Sequence, residues 1–109
     1  MTVVEVSSLE GLNTILTSND QVVVDFAAPA WCVPCQRLAP HYEKVAEKSE
    51  DGTVFVSVDI DTADADLVGS YQIQSVPTVL AFKAGQPVGP VEGKTGPKII
   101  KELDALFKE

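Results

Sequence analysis

Two cysteines, one histidine, one methionine and one tryptophan are all that this 109-residue chain holds of those types, and 16 acidic side chains outnumber eight lysines and arginines. Each scarcity removes a class of function. A closed structural zinc centre takes about four ligands, whereas Cys32, Cys35 and His41 supply only three residues of the usual types. No metal is expected, and His41 reads as an ordinary helix residue. The formal net charge of −8 opposes phosphate backbones and anionic lipid surfaces, so neither nucleic acid nor membrane is an expected partner. No apolar run approaches the length of a membrane span. The opening Met1-Thr2-Val3-Val4-Glu5-Val6 carries neither the basic region nor the apolar stretch of a signal peptide, from which a cytoplasmic, reducing setting is expected. Repeats, low-complexity tracts and linkers are missing too. With 45% hydrophobic and 22% charged residues, the composition is that of a globular protein. Residues 1–109 are expected to form a single domain, and nothing at this size demands more than a monomer.

What the chain does have is both cysteines in one place. Trp31-Cys32-Val33-Pro34-Cys35 sits where an apolar, strand-like run gives way to a helix-like one. Two thiols at this spacing close a small ring on oxidation, so a mixed disulfide at one is resolved by attack from the other. Pro34 suits the first turn of a helix, which puts Cys32 at or just before its N-terminus. Free backbone N–H groups and the helix dipole favour a thiolate there. Cys32 is therefore the candidate nucleophile and Cys35 the resolving thiol. As a mere staple the pair would be poor, since so short a loop removes little entropy from the unfolded chain.

The rest of the chain alternates strand and helix patterns. Val3 to Val6 reads as a strand. Ser7 and Glu10 form a capping box ahead of Leu9, Leu12, Ile15 and Leu16. Val22 to Ala28 is nearly continuous apolar sequence, the mark of a central strand covered on both faces. Asp25 interrupts it, and a carboxylate there is costly to bury ionised, so its pKa should be raised. Leu38, Tyr42, Val45 and Ala46 recur at helical spacing, with Pro40 expected to kink that helix. Val54 to Ile60 is a third strand, and Asp61 or Thr62 is placed to cap a short helix through Leu67, Val68 and Tyr71. Thr78 to Phe82 and Val88 to Val91 make a hairpin through Ala84-Gly85, with Pro87 and Pro90 fit only for an edge. Thr95 caps a last helix that carries Ile99, Ile100, Leu103, Leu106 and Phe107 on one face.

This order, with Val24-Asp25-Phe26, Trp31-Cys32-x-Pro34-Cys35, Ala39-Pro40, Tyr71-x-Ile73, Val76-Pro77-Thr78, Phe82-Lys83-x-Gly85 and Gly93, resembles the thioredoxin family over essentially the whole length. The resemblance implies an α/β, thioredoxin-like fold, a central mixed five-stranded sheet flanked by four helices in the order βαβαβαββα. It implies a general protein-disulfide reductase in which Cys32 is an exposed nucleophile and Cys35 a buried resolving thiol. Asp25 would move a proton for Cys35. Pro77 would be cis, leaving the backbone of Val76 to pair with an extended substrate. Trp31, Val76, Pro77 and Gly93 would contact substrate, and Val33 and Pro34 would shape the site. No cofactor is implied beyond the Cys32–Cys35 disulfide itself. By the same resemblance NADPH and FAD would act only through a partner thioredoxin reductase, and the substrates would be disulfide proteins such as ribonucleotide reductase, peroxiredoxins and methionine sulfoxide reductase.

Three departures from the family pattern stand out. The segment from Asp25 to Cys32 is one residue longer than usual, with Ala27 where many members carry tryptophan. Ser57 stands where several place a lysine facing the buried aspartate. Val33 replaces the common glycine between the cysteines, a position that tunes the redox potential. The same site also admits a thiol oxidase or disulfide isomerase, or an accessory binding subunit that grips its partner through Trp31 whatever its redox state. A glutaredoxin is disfavoured by Trp31 and Val33.

Overall fold

The computed structural model describes residues 2–108. Five strands form one sheet: β1 (Val3–Glu5), β2 (Gln21–Ala27), β3 (Val54–Asp59), β4 (Thr78–Lys83) and β5 (Gln86–Val91). Four helices accompany them: α1 (Leu9–Ser18), α2 (Val33–Lys48), α3 (Ala65–Ser70) and α4 (Gly96–Phe107). The spatial order is β1-β3-β2-β4-β5, with β1, β3 and β2 parallel and β4 and β5 antiparallel to their neighbours. The mixed sheet and element order are those the resemblance implies.

The apolar run of β2 is central, and its side chains alternate between two cores. Val22, Val24 and Phe26 face α1 and α3, joining Leu12, Leu16, Leu67 and Phe82. Val23 faces α2 and α4, with Tyr42, Val45, Ile99 and Leu103. This period of two turns Asp25 toward α2, the side that also carries the cysteines. Phe26 and Phe82 are essentially inaccessible to water, and burying each side chain contributes roughly 1.5–3 kcal/mol. On the other face, Tyr42 ties α2 to the sheet, its hydroxyl lying 2.8 Å from the Val56 carbonyl oxygen and 3.0 Å from that of Val23.

Some local expectations change. The cap of α1 is Ser8, whose hydroxyl accepts from the Gly11 N–H at 3.0 Å. The Ser7 carbonyl instead accepts the Asp64 N–H at 2.8 Å, and with Ser8 as the cap no Ser7–Glu10 capping box forms. That same contact fixes the start of α3 at Asp64, later than Asp61 or Thr62, and the Asp64 side chain makes no capping bond. Helix α2 continues through Pro40 to Lys48. Ile100 is largely turned to solvent, unlike Ile99 and Leu103. The β4–β5 hairpin turns on Ala84 and Gly85, at φ 52° and 79°, and β5, with both prolines, is an edge strand as expected.

Candidate active site

The site assembles where β2 ends and α2 begins. Pro29, Ala30 and Trp31 form a turn closed by the Ala28 carbonyl, which accepts from the N–H groups of Trp31 (3.2 Å) and Cys32 (2.9 Å). The Gln36 side-chain amide, one turn into α2, donates to the Pro29 carbonyl at 2.8 Å. The turn leads directly into Cys32 at the helix end. Cys32 is the N-cap of α2, Val33 and Pro34 open its first turn, and the Cys35 N–H donates to Cys32 Sγ at 3.2 Å. Cys32 and Cys35 are disulfide-bonded, with their Cα atoms 5.2 Å apart.

Both cysteines are only 3% exposed, which corrects the expectation of an exposed Cys32 beside a buried Cys35. In the disulfide, Cys32 Sγ turns in toward Cys35, packs with Ala27 and Ala28, and lies 3.7 Å from the Val76 carbonyl oxygen. The exposed part of the site is apolar side chain around the sulfurs: Trp31 is 61% and Val33 49% exposed. The Val76–Pro77 peptide is cis, as the resemblance implies. Val76 is half-buried against the cysteine cluster, and among the described residues its N–H has no acceptor.

Gly93 follows the end of β5 by two residues, and β5 pairs with β4, which begins immediately after Pro77. An added Cβ on Gly93 would meet backbone and side-chain carbons of Lys98 at 2.9 Å, so the position has room only for glycine. The Glu102 carboxylate accepts the N–H groups of Glu92 (2.8 Å) and Gly93 (2.9 Å) and holds this loop in place.

Asp25 lies behind the disulfide, 6% exposed, and its Oδ1 has no hydrogen-bond partner among the described residues. Burial pushes its carboxyl from the ordinary 3.8 up to about 6, with the positive charge of Lys94 pulling the other way. Ser57 is its neighbour across the β2–β3 register and brings no charge.

Two side chains of the site were not assigned from sequence. Asp61, expected as a helix cap, instead accepts the Trp31 indole N–H at 2.8 Å and fixes the exposed ring. Glu102 was invisible because its partners lie nine and ten residues away in a loop. Neither pairing has a local sequence signature.

Among the described residues no group of histidine, cysteine, aspartate and glutamate side chains is placed to hold a metal ion, and no helix is long and apolar enough to cross a membrane.

The Thioredoxin family model matches residues 3–105. A thioredoxin of Mycoplasmoides gallisepticum is 41% identical over 92 residues, covering 84% of this chain and 89% of its own length. A bifunctional thioredoxin reductase/thioredoxin of Mycobacterium leprae is 34% identical over 93 residues, which is 85% of this chain and 20% of that protein. Among solved structures, reduced Schistosoma mansoni thioredoxin pre-protein superposes with a TM-score of 0.82 at 33% identity, over 96% of this chain and 98% of that one.

Proposed function

The chain belongs to the thioredoxin family and is a dithiol/disulfide redox protein of that type, and from this premise we propose that it serves as a general protein-disulfide reductase of the cytoplasm. The observation that carries the reading is the position of Cys32. It caps α2, its sulfur accepts the Cys35 N–H, and an exposed apolar surface surrounds it. A backbone donor and a helix N-terminus both stabilise charge on that sulfur.

In the reduced protein the Cys32 thiolate attacks one sulfur of a substrate disulfide. A Cys32–substrate bond forms, the substrate's own disulfide breaks, and the first substrate thiolate leaves. Cys35, deprotonated with Asp25 as acceptor, then attacks Cys32 Sγ, closing the Cys32–Cys35 disulfide and expelling the second substrate thiolate. Two electrons pass to the substrate. Val76, next to the sulfurs with its N–H unpaired, offers a strand-like edge for the substrate backbone, while Trp31, Pro34, Pro77 and Gly93 supply its contact surface.

The oxidised protein is recharged by thioredoxin reductase, which draws electrons from NADPH through FAD. The Mycobacterium leprae relative, whose name joins the two activities, supports this partner. Ribonucleotide reductase, peroxiredoxins and methionine sulfoxide reductase are proposed substrates on the strength of the family alone.

The test uses insulin, which precipitates when its interchain disulfides are reduced. The parent protein should accelerate reduction by dithiothreitol, Cys32→Ser should not, and Cys35→Ser should accumulate a covalent adduct through Cys32. Acceleration that survives Cys32→Ser would overturn the assignment.

A further inference from the structure

A cavity of about 370 Å³ lies behind the disulfide, between the sheet and α2. Its floor is a polar row crossing three strands. Glu5 on the edge strand β1 pairs with Ser57 on β3, and Ser57 pairs with Asp25 on β2. The three side chains share one face and step inward from an exposed glutamate, past a half-buried serine, to a buried aspartate. Neighbouring strands lie about 4.8 Å apart, so the row runs about 10 Å from rim to floor. Val3, Ala27, Ala39 and Val58 make the walls apolar, while Glu43 from α2 and Asp59 from β3 add negative charge to the lining.

Among the described residues no lysine or arginine lines this cavity. The positive charge that acts on Asp25 is that of Lys94, outside the lining. The other ionisable neighbours are Cys35, tied up in the disulfide, and Tyr42, whose proton is held tightly by burial. Asp25 lines the cavity at its buried end, and its carboxyl, with Oδ1 shut off from water and unpaired among the described residues, is short of a donor. Apolar walls disfavour a hydrated ion, and among the described residues the acids do not converge as a metal-binding group. The complementary shape is a slender apolar stem with a cationic donor at each end.

We propose that this cavity binds a short aliphatic diamine, with one ammonium on Asp25 and the other on Glu5 and Glu43, and that occupancy holds Asp25 ionised. An ammonium beside a buried carboxylate favours its charged form, so the occupied protein keeps its proton acceptor for Cys35 available at lower pH. That consequence for turnover rests on the role given to Asp25 above; the binding itself does not.

The probe is 1,4-diaminobutane added to the oxidised protein, followed by calorimetry and by carbon-13 NMR titration of the Asp25 carboxyl. Saturable one-to-one binding is expected, with the Asp25 midpoint falling by about one pH unit or more, a tenfold or greater preference for the ionised form. Sodium chloride at equal ionic strength and 1-butanol should not reproduce the shift. Ser57→Lys, which tethers an ammonium in the same row, should abolish the response. Glu5→Gln, at an exposed position that cannot threaten folding, should weaken the diamine several-fold while leaving butylamine unchanged. A shift no larger than that caused by sodium chloride, or a diamine affinity untouched by Glu5→Gln, would overturn the proposal. Because neither substrate nor reductant is present, failure here would leave the reductase reading standing. Failure of insulin reduction would likewise leave the binding measurement intact.

Discussion

Replacing Asp25 with asparagine should stabilise the oxidised protein by an amount that grows with pH. The carboxyl is 94% shielded from water, the complement of its 6% exposure, and burial is the main cause of its rise from 3.8 to about 6. A carboxyl harder to ionise in the folded chain than in the unfolded one lets the folded state hold an extra proton between those two values. The stability this group contributes is therefore fully present below about pH 3.8 and is lost as pH rises through about 6. A displacement of about two pH units corresponds to about 3 kcal/mol. An amide carries no such charge, so the advantage of Asp25→Asn should change little below about pH 3.5, grow between about pH 4 and 6, and level off near 3 kcal/mol above about pH 7. Urea unfolding of both oxidised proteins across this range, followed by far-ultraviolet circular dichroism, measures it. Any cost of burying the amide shifts all points alike, so the change with pH is the quantity to read. A difference independent of pH would refute the reasoning, because the carboxylate would then bear no penalty for its charge.

Tyr42→Phe removes the hydroxyl shared by the Val23 and Val56 carbonyls and should cost roughly 1–2 kcal/mol, read as a lower urea midpoint. Ala84→Asn should stabilise by about 1 kcal/mol, since asparagine tolerates the left-handed backbone that alanine adopts there at φ 52°. Asp61→Ala should free the indole of the only tryptophan, changing its fluorescence and slowing insulin reduction, while stability moves by less than about 1 kcal/mol because the bond is solvent-exposed.

What could be read from sequence was set by local pattern. The seven-residue apolar run announced a central strand, the Leu38–Tyr42–Val45 spacing announced the buried face of α2, and Pro34 after Cys32 announced the helix start. These features depend on neighbours within one or two turns. The misplaced caps depended instead on tertiary contact: the Ser7 carbonyl accepts the Asp64 N–H, more than fifty residues away, while Ser8 caps α1. Trp31 with Asp61 joins segments 30 residues apart, and Gly93 with Glu102 joins a loop to a helix position nine residues further on. The burial of Cys32 follows from its bond to Cys35 and its seat beneath Val76, a cover built by a loop that sequence alone does not position.

The measurement closest to the central claim is the midpoint potential of the Cys32/Cys35 couple, obtained by equilibrating the protein with dithiothreitol or glutathione redox buffers and counting free thiols. Thioredoxins characteristically lie near about −270 mV, and a value in that region is the result a reductase requires. A value near about −180 mV or above, the range of isomerases and oxidants, would contradict the proposed direction of electron flow.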